Sequence, residues 1–234
     1  MTPYADLRER VLEANRELVR SGLVVLTFGN VSEADRPAGV MAIKPSGVRY
    51  DELEPESMTV VDLESGAVVD GRHRPSSDTP THLVLYRRFE RVGGIAHTHS
   101  RFASAWAQAG RALPCFGTTH ADHFRGTVPV TRPLTTPEIQ GDYEERTGDV
   151  IVETFERLQL DPLETPAVLV ASHGPFTWGT DAAQAAENAL ALDTVAQLAL
   201  DSLVLQPGLE PIPDELLRRH FLRKHGPGAY YGQQ

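Results

Sequence analysis

Chemistry can first be read from a histidine pair, His97 and His99, in Gly93-Gly94-Ile95-Ala96-His97-Thr98-His99-Ser100. If Gly94 to Thr98 is a short strand, alternate side chains share a face. The two imidazoles then leave together, about 6.5 Å apart at the backbone, and can converge on one metal ion. A histidine on a strand is also a common hydrogen-bonded core residue, so the pair alone leaves both readings open. Two further residues extend it: Asp78, at a helix start in Ser76-Ser77-Asp78-Thr79-Pro80-Thr81-His82, and His173, in Ala171-Ser172-His173-Gly174-Pro175 after the apolar run Ala167 to Val170. Three imidazoles and one carboxylate, each at an element end where loops meet, form a mixed N/O donor set suited to zinc or a similar divalent ion.

The elements that must position these residues follow from periodicity and turn signals. Leu7, Val11, Leu12, Ala14, Leu18 and Val19 recur at helical intervals between Pro3 and Gly22, predicting an amphipathic opening helix over 3–21. Val24 to Phe28 is a short apolar run stopping at a Gly29-Asn30 turn. Val40 to Lys44 reads as a strand ending in Lys44-Pro45-Ser46-Gly47, a turn that carries a cation and a hydroxyl. Met58 to Leu63 and Ala67 to Val69 form a hairpin. After Pro75, the hydroxyls of Ser76 and Ser77 lie beside the start of a helix through Leu83 to Phe89; they either cap it or make an anion cradle. A helix over Phe102 to Ala109, a polar loop over 117–126, and a helix over Thr136 to Leu158 come next, with Gly141 and Gly148 weakening the first half of the last. Two strands flank His173-Gly174-Pro175, and Asp181 caps a long apolar helix to about Leu205 that must pack on the sheet or on another subunit. A short basic helix over Pro213 to Lys224 leads to a tail with Tyr230-Tyr231. The mixture predicts one α/β domain over 1–234, a three-layer sandwich whose mainly antiparallel central sheet is flanked by helices.

Composition narrows the partners. The chain has 234 residues, 41% of them hydrophobic, and a formal net charge of −10. That balance argues against a nucleic-acid backbone, which needs a basic footprint. The lone Cys115 excludes an intrachain disulfide and fits a reducing compartment. The N-terminus has no targeting pattern and no run approaches a membrane span, so a cytoplasmic protein without membrane contact is expected.

Thr27-Phe28-Gly29-Asn30-Val31-Ser32, Ile43-Lys44-Pro45-Ser46-Gly47-Val48, Pro75 through His82, Gly94 through Ser100, and Ser172-His173-Gly174-Pro175-Phe176 resemble segments of the class II sugar-phosphate aldolases and epimerases. The nearest branch is the one that epimerises L-ribulose 5-phosphate at C4. The resemblance runs nearly end to end, including Gly117 through Asp122 and Leu222 through Gly232. It implies a class II aldolase-like fold, a bound zinc or another divalent ion such as manganese or cobalt, and a homotetramer with sites between neighbours. It also implies interconversion of L-ribulose 5-phosphate with D-xylulose 5-phosphate in carbohydrate catabolism of the arabinose or ascorbate type. Carried over by motif, Asp78, His97, His99 and His173 are the metal ligands. Gly29, Asn30, Ser46, Gly47, Ser76 and Ser77 bind substrate, chiefly its phosphate, with Lys44 nearby. Asp122 and Tyr231 are the acid/base pair, contributed by an adjacent subunit as the tail over about 225–234 closes on a neighbour's site.

The chemistry explains the residue types. The C4 hydrogen of a ketopentose phosphate is not alpha to the carbonyl, so inversion there needs the C3–C4 bond to break, the aldehyde to turn, and the bond to re-form. A cation suits the negative charge that develops, and two groups on opposite faces suit the proton transfers. Two rival readings stand beside this one. A class II aldolase of the fuculose- or rhamnulose-phosphate type would release its fragments, but usually carries Glu where this chain has Asp78. A non-catalytic module like the adducin head would have lost the ligand or phosphate-loop residues.

Overall fold

Alternate residues of the strands separate the sheet's side chains onto two helical layers. The computed structural model describes residues 4–230. In chain order the elements are α1 (Ala5–Arg20), β1 (Asn30–Asp35), β2 (Val40–Ile43), β3 (Thr59–Asp62), β4 (Val68–Asp70), α2 (Thr79–Arg88), β5 (Gly94–His97), α3 (Arg101–Gln108), α4 (Thr118–Ala121), α5 (Thr136–Gln140), α6 (Tyr143–Leu158), β6 (Ala167–Leu169), β7 (Pro175–Gly179), α7 (Ala182–Leu205) and α8 (Asp214–His225). The seven strands form one sheet in the order β4-β3-β2-β1-β5-β7-β6, with every neighbouring pair antiparallel.

On one face Met41, Ile43, Val61, Ile95, Phe176 and Trp178 pack against Leu83 and Leu85 of α2 and Ile151 and Phe155 of α6. The intervening residues turn the other way: Val40, Ala42 and Val60 onto α1, Val31 and Ala96 onto α1 and α7, and Ala167 and Leu169 onto α3 and α7. This period of two places a helical layer on each side and gives the expected three-layer α/β sandwich. On α1 the buried stripe is Leu7, Val11, Leu12, Ala14 and Leu18, while Val19 is exposed.

Four local expectations need correction. The turn expected at Gly29-Asn30 lies earlier, at Leu26-Thr27: Val25, Leu26 and Phe28 are exposed, and Asn30 already opens β1. That strand, Asn-Val-Ser-Glu-Ala-Asp, was hidden by its polarity, which distant partners satisfy. Glu33 is bound by Arg10 Nε at 2.6 Å and by the Ala182 backbone N–H at 3.0 Å. The stretch from Thr136 to Leu158 is two helices, because Gly141 ends α5 and α6 starts afresh at Tyr143. Gly148 stays inside α6 because α2 crosses it there; an added Cβ would lie 2.6 Å from Val84 Cβ. The polar loop over 117–126 contains the single turn α4. Lastly, α7 spans 24 residues and is by length and composition apolar enough to cross a membrane, contrary to the expectation of no such run. It carries Glu187, Asp193 and Asp201, and one face packs on β5 and β7. Asp181 caps it as expected, accepting from Gln184 N at 2.8 Å.

Candidate active site

The histidine trio is assembled by strand pairing. β1 and β7 flank β5, with Asn30 opposite His97 on one side and Phe176 opposite His97 on the other. His97 ends β5, His99 lies just beyond it, and His173 sits in the connection from β6 to β7. Ser172, immediately before His173, holds a left-handed φ of 62°, a strained conformation for a side-chain-bearing residue of the kind found at functional sites. The three rings have centroids 4.8, 4.9 and 5.1 Å apart. One nitrogen from each lies within 4.8 Å of the others.

His97 Nδ1–H donates to the Pro175 carbonyl at 2.9 Å, leaving the Nε2 lone pair directed at His99 Nε2, 3.1 Å away. The ring stacks on Phe176 at 4.2 Å. A backbone partner that fixes one nitrogen so that the other can ligate is the usual arrangement around a metal-bound histidine. Burial and the neighbouring His97 and His99 push His173 down to about 4. Burial, then His97, also lowers His99. Both rings are therefore neutral at pH 7, and their lone pairs are free for a cation. A donor set of converging imidazoles fits a divalent metal of the borderline class. Among the described residues this is the one such cluster.

Asp78 stands beside the trio without joining its 4.8 Å group. It does not cap α2 with its side chain; its Oδ2 accepts from Asn30 Nδ2 at 2.6 Å. Burial raises its pKa, but His97, His82 and the Asn30 amide outweigh that and hold the carboxylate below its ordinary range.

Two loops form the opposite wall. Residues 44–47 and 74–77 are tied by a bridge between Pro45 and Pro75, with Ser46 N–H donating to Arg74 O and Ser76 N–H to Lys44 O, each at 3.0 Å. The tie brings Ser46, Gly47, Ser76 and Ser77 to one side of the cleft. Asn30 Nδ2 also reaches Ser76 Oγ at 3.1 Å, so one carboxamide joins this wall to Asp78. Lys44 is only 2% exposed, with Nζ 3.4 Å from the carbonyls of Thr27 and Pro45 and 4.7 Å from the centre of the Tyr50 ring. Burial pushes its ammonium down to about 8. Gly29 is required by its φ of 77° and by crowding, since a Cβ there would lie 2.8 Å from the His97 carbonyl oxygen.

The cleft between these walls holds about 430 Å³ and is lined by Gly29, Asn30, Lys44, Ser46, Gly47, Ser76, Ser77, Asp78, His97, His99 and His173 together. It also contains Tyr143 and Glu144, which the sequence reading missed. Tyr143 Oη lies 3.5 Å from His173 Nδ1. The signal was the Gly141-Asp142 break, which makes Tyr143 the first residue of a helix rather than the middle of one.

Asp122 is not brought to this cleft within the chain. It ends α4, where Arg223 Nε and Nη2 bind its carboxylate at 3.1 and 2.7 Å and His220 Nδ1 lies at 3.1 Å. Burial raises Asp122, but Arg223 and His220 prevail and keep it below the ordinary carboxylate range. Tyr231 lies outside the described residues.

The fold is an α/β sandwich whose cleft sets a histidine trio that could hold a metal ion against two tied serine loops, and residues 9–200 match the class II aldolase and adducin N-terminal domain family, to which the chain belongs. Among curated relatives, the L-ribulose-5-phosphate 4-epimerases UlaF of Salmonella paratyphi A and Salmonella typhi are each 53% identical over 228 residues, covering 97% of this chain and 99% of the relative. Among solved structures, an L-fuculose 1-phosphate aldolase superposes with a TM-score of 0.77 at 24% identity, covering 92% of this chain and 94% of that one. The L-fuculose 1-phosphate aldolase of Glaciozyma antarctica superposes with a TM-score of 0.73 at 19% identity, covering 93% and 80%. These last two likenesses are of fold.

Proposed function

We propose that this chain is an L-ribulose-5-phosphate 4-epimerase, producing D-xylulose 5-phosphate by cleavage and re-formation of the C3–C4 bond. The observation that carries the proposal is near full-length identity of 53% to relatives of that name, in a chain whose cleft gathers a histidine trio and a serine-lined loop pair. His97, His99 and His173, with Asp78, would hold a divalent cation, zinc in the first instance. When bound, that cation supplies positive charge beside the negative charge developing on the three-carbon fragment.

The chain's own residues do the rest. Ser46, Gly47, Ser76 and Ser77, with Asn30 and Lys44, hold the phosphate of the two-carbon fragment, glycolaldehyde phosphate, so that it stays while its carbonyl end rotates. The C4 hydroxyl loses a proton as the bond breaks and regains one after the bond re-forms on the other face. Asp122, kept ionised by Arg223 and His220, serves as the acceptor on one face, and Tyr231 as the donor on the other. Asp122 lies outside its own chain's cleft, so in this proposal it serves the cleft of a neighbour in a homotetramer, with the tail closing over it.

The test is a coupled assay on L-ribulose 5-phosphate with parallel product analysis. The expected product is D-xylulose 5-phosphate, with no accumulation of glycolaldehyde phosphate. Accumulation of the fragment would instead establish an aldolase. Mixing His97→Asn protein with Asp122→Asn protein should restore activity if the two residues serve one site from different subunits; no restoration would sink the shared-site arrangement.

A further inference from the structure

Directly beneath Asp78 lies a buried polar chain that the reaction does not use. His82 is one helical turn beyond Asp78 on α2 and is fully buried, at 0% exposure. Its Nδ1 is 2.7 Å from Ser32 Oγ, and that hydroxyl is 2.8 Å from Tyr86 Oη. Its Nε2 is buried and has no hydrogen-bond partner among the described residues. A neutral imidazole carries one N–H and one lone pair, so the direction of the chain decides which nitrogen is the donor.

The direction can be worked out from the far end. Tyr86 Oη meets one side-chain partner, Ser32 Oγ. Its own proton then has Ser32 Oγ to go to, and the Ser32 proton goes on to His82 Nδ1. The opposite direction would leave the Tyr86 hydroxyl proton without an acceptor in a fully buried position. Nδ1 is therefore the acceptor, and Nε2 carries the proton. An N–H with no acceptor, in a place closed to water, is the costly kind of polar group, and a native core keeps one only where an acceptor arrives.

Asp78 is the carboxylate whose charge reaches His82, although no hydrogen bond joins the two in this structure. The two side chains stand at i and i+4, the spacing that puts residues on one helix face. Asn30 Nδ2 holds one Asp78 oxygen, Oδ2, at 2.6 Å. We infer that His82 is a positioning residue for Asp78: its Nε2–H and the Asn30 amide together fix the carboxylate in the orientation that a divalent cation on the histidine trio requires. The inference rests on the reading of Asp78 as part of the metal site.

The experiment measures zinc affinity by competition with a chromophoric chelator for wild type, His82→Gln, His82→Leu, Asp78→Asn and the Asp78→Asn/His82→Leu double variant. His82→Leu should weaken zinc binding roughly 10- to 100-fold, the usual effect of losing a hydrogen-bond partner behind a ligand. His82→Gln, whose amide nitrogen can take the place of Nε2–H, should recover most of it. In the Asp78→Asn background the further loss from His82→Leu should shrink to under about threefold, because the donor no longer has its carboxylate. An undiminished loss in that background, or none in the wild-type background, overturns the inference. If Asp78→Asn itself leaves zinc affinity unchanged, the place of Asp78 in the metal site falls first. If it lowers affinity while His82→Leu does not, only the role of His82 falls. Should the leucine variant not fold, ¹⁵N-histidine NMR on the wild-type protein decides: the Nε2–H tautomer, with a resonance that moves on adding zinc, supports the inference, and an Nδ1–H tautomer refutes it.

Discussion

Replacing Lys44 by Met should make the protein more stable and less able to bind its substrate, and the size of the first effect should depend on pH in a defined way. Lys44 is 2% exposed, and among the described residues no carboxylate pairs with it. Burial has moved its ammonium from 10.5 to about 8. At about 1.4 kcal/mol for each tenfold change, the folded chain disfavours that charge by about 3 kcal/mol. Below pH 8 both folded and unfolded chains are protonated, and the whole penalty falls on the fold. Between pH 8 and 10.5 the unfolded chain binds the extra proton, so wild-type stability rises with pH, and above 10.5 the penalty has gone. Methionine keeps the unbranched stem and removes the charge. The Lys44→Met variant should therefore exceed wild type by up to about 3 kcal/mol at pH 7, with the margin shrinking to nothing by pH 10.5. Paired urea titrations followed by circular dichroism measure this, since other titrations cancel in the difference. In the proposed site Lys44 meets the phosphate, and loss of that charged contact, about 1.5–3 kcal/mol, should meanwhile raise KM for L-ribulose 5-phosphate roughly 10- to 100-fold. A stability margin that stays constant across this pH range, or a variant less stable than wild type at pH 7, would refute the reasoning.

His97→Asn removes a central donor of the trio, and metal analysis should find less than one equivalent of zinc, with turnover reduced at least about a thousandfold; full zinc retention would count against the site. Gly29→Ala forces a φ of 77° on alanine, worth about 1–2 kcal/mol, and pushes on the His97 carbonyl, so thermal unfolding should begin earlier and zinc affinity should fall with it. His120 donates Nε2–H to Gly126 O at 2.7 Å, and burial pushes it down to about 4. The folded chain thus binds fewer protons than the unfolded one between pH 6.5 and 4, and stability falls as pH drops through that window. His120→Gln, which keeps the donor and cannot titrate, should flatten that fall by one proton's slope in urea midpoints measured against pH; an unchanged slope would rule His120 out as its source.

What the chain revealed on inspection was whatever local pattern encodes. Helical spacing gave α1 and α7, alternation gave the hairpin of β3 and β4, and the turn chemistry of Lys44-Pro45-Ser46-Gly47 and Ser76-Ser77-Asp78 marked the loops that form the cleft. What stayed hidden depended on partners far away in sequence. β1 did not look like a strand because Ser32 and Glu33 are buried on it, and what makes them tolerable is His82, Tyr86, Arg10 and the start of α7. Gly148 looked like a weakness of α6 and is instead the point where α2 comes close. The trio of histidines was legible as residue types, but their convergence depends on β5 and β7 being neighbours in the sheet. Asp122 was legible as a polar loop residue, whereas its clasp by Arg223 and His220 required α8 to fold back on α4.

The ladder between β1 and β5 pairs Asn30 directly with His97. Both walls of the cleft, the serine-lined one and the one that gathers imidazoles, therefore hang from a single rung. A slip of one residue in either strand would turn that strand's side chain to the far face and part the two. Asn30 also reaches Ser76 of the tied loops, so a change at this rung is felt by the histidine trio and the serine wall together.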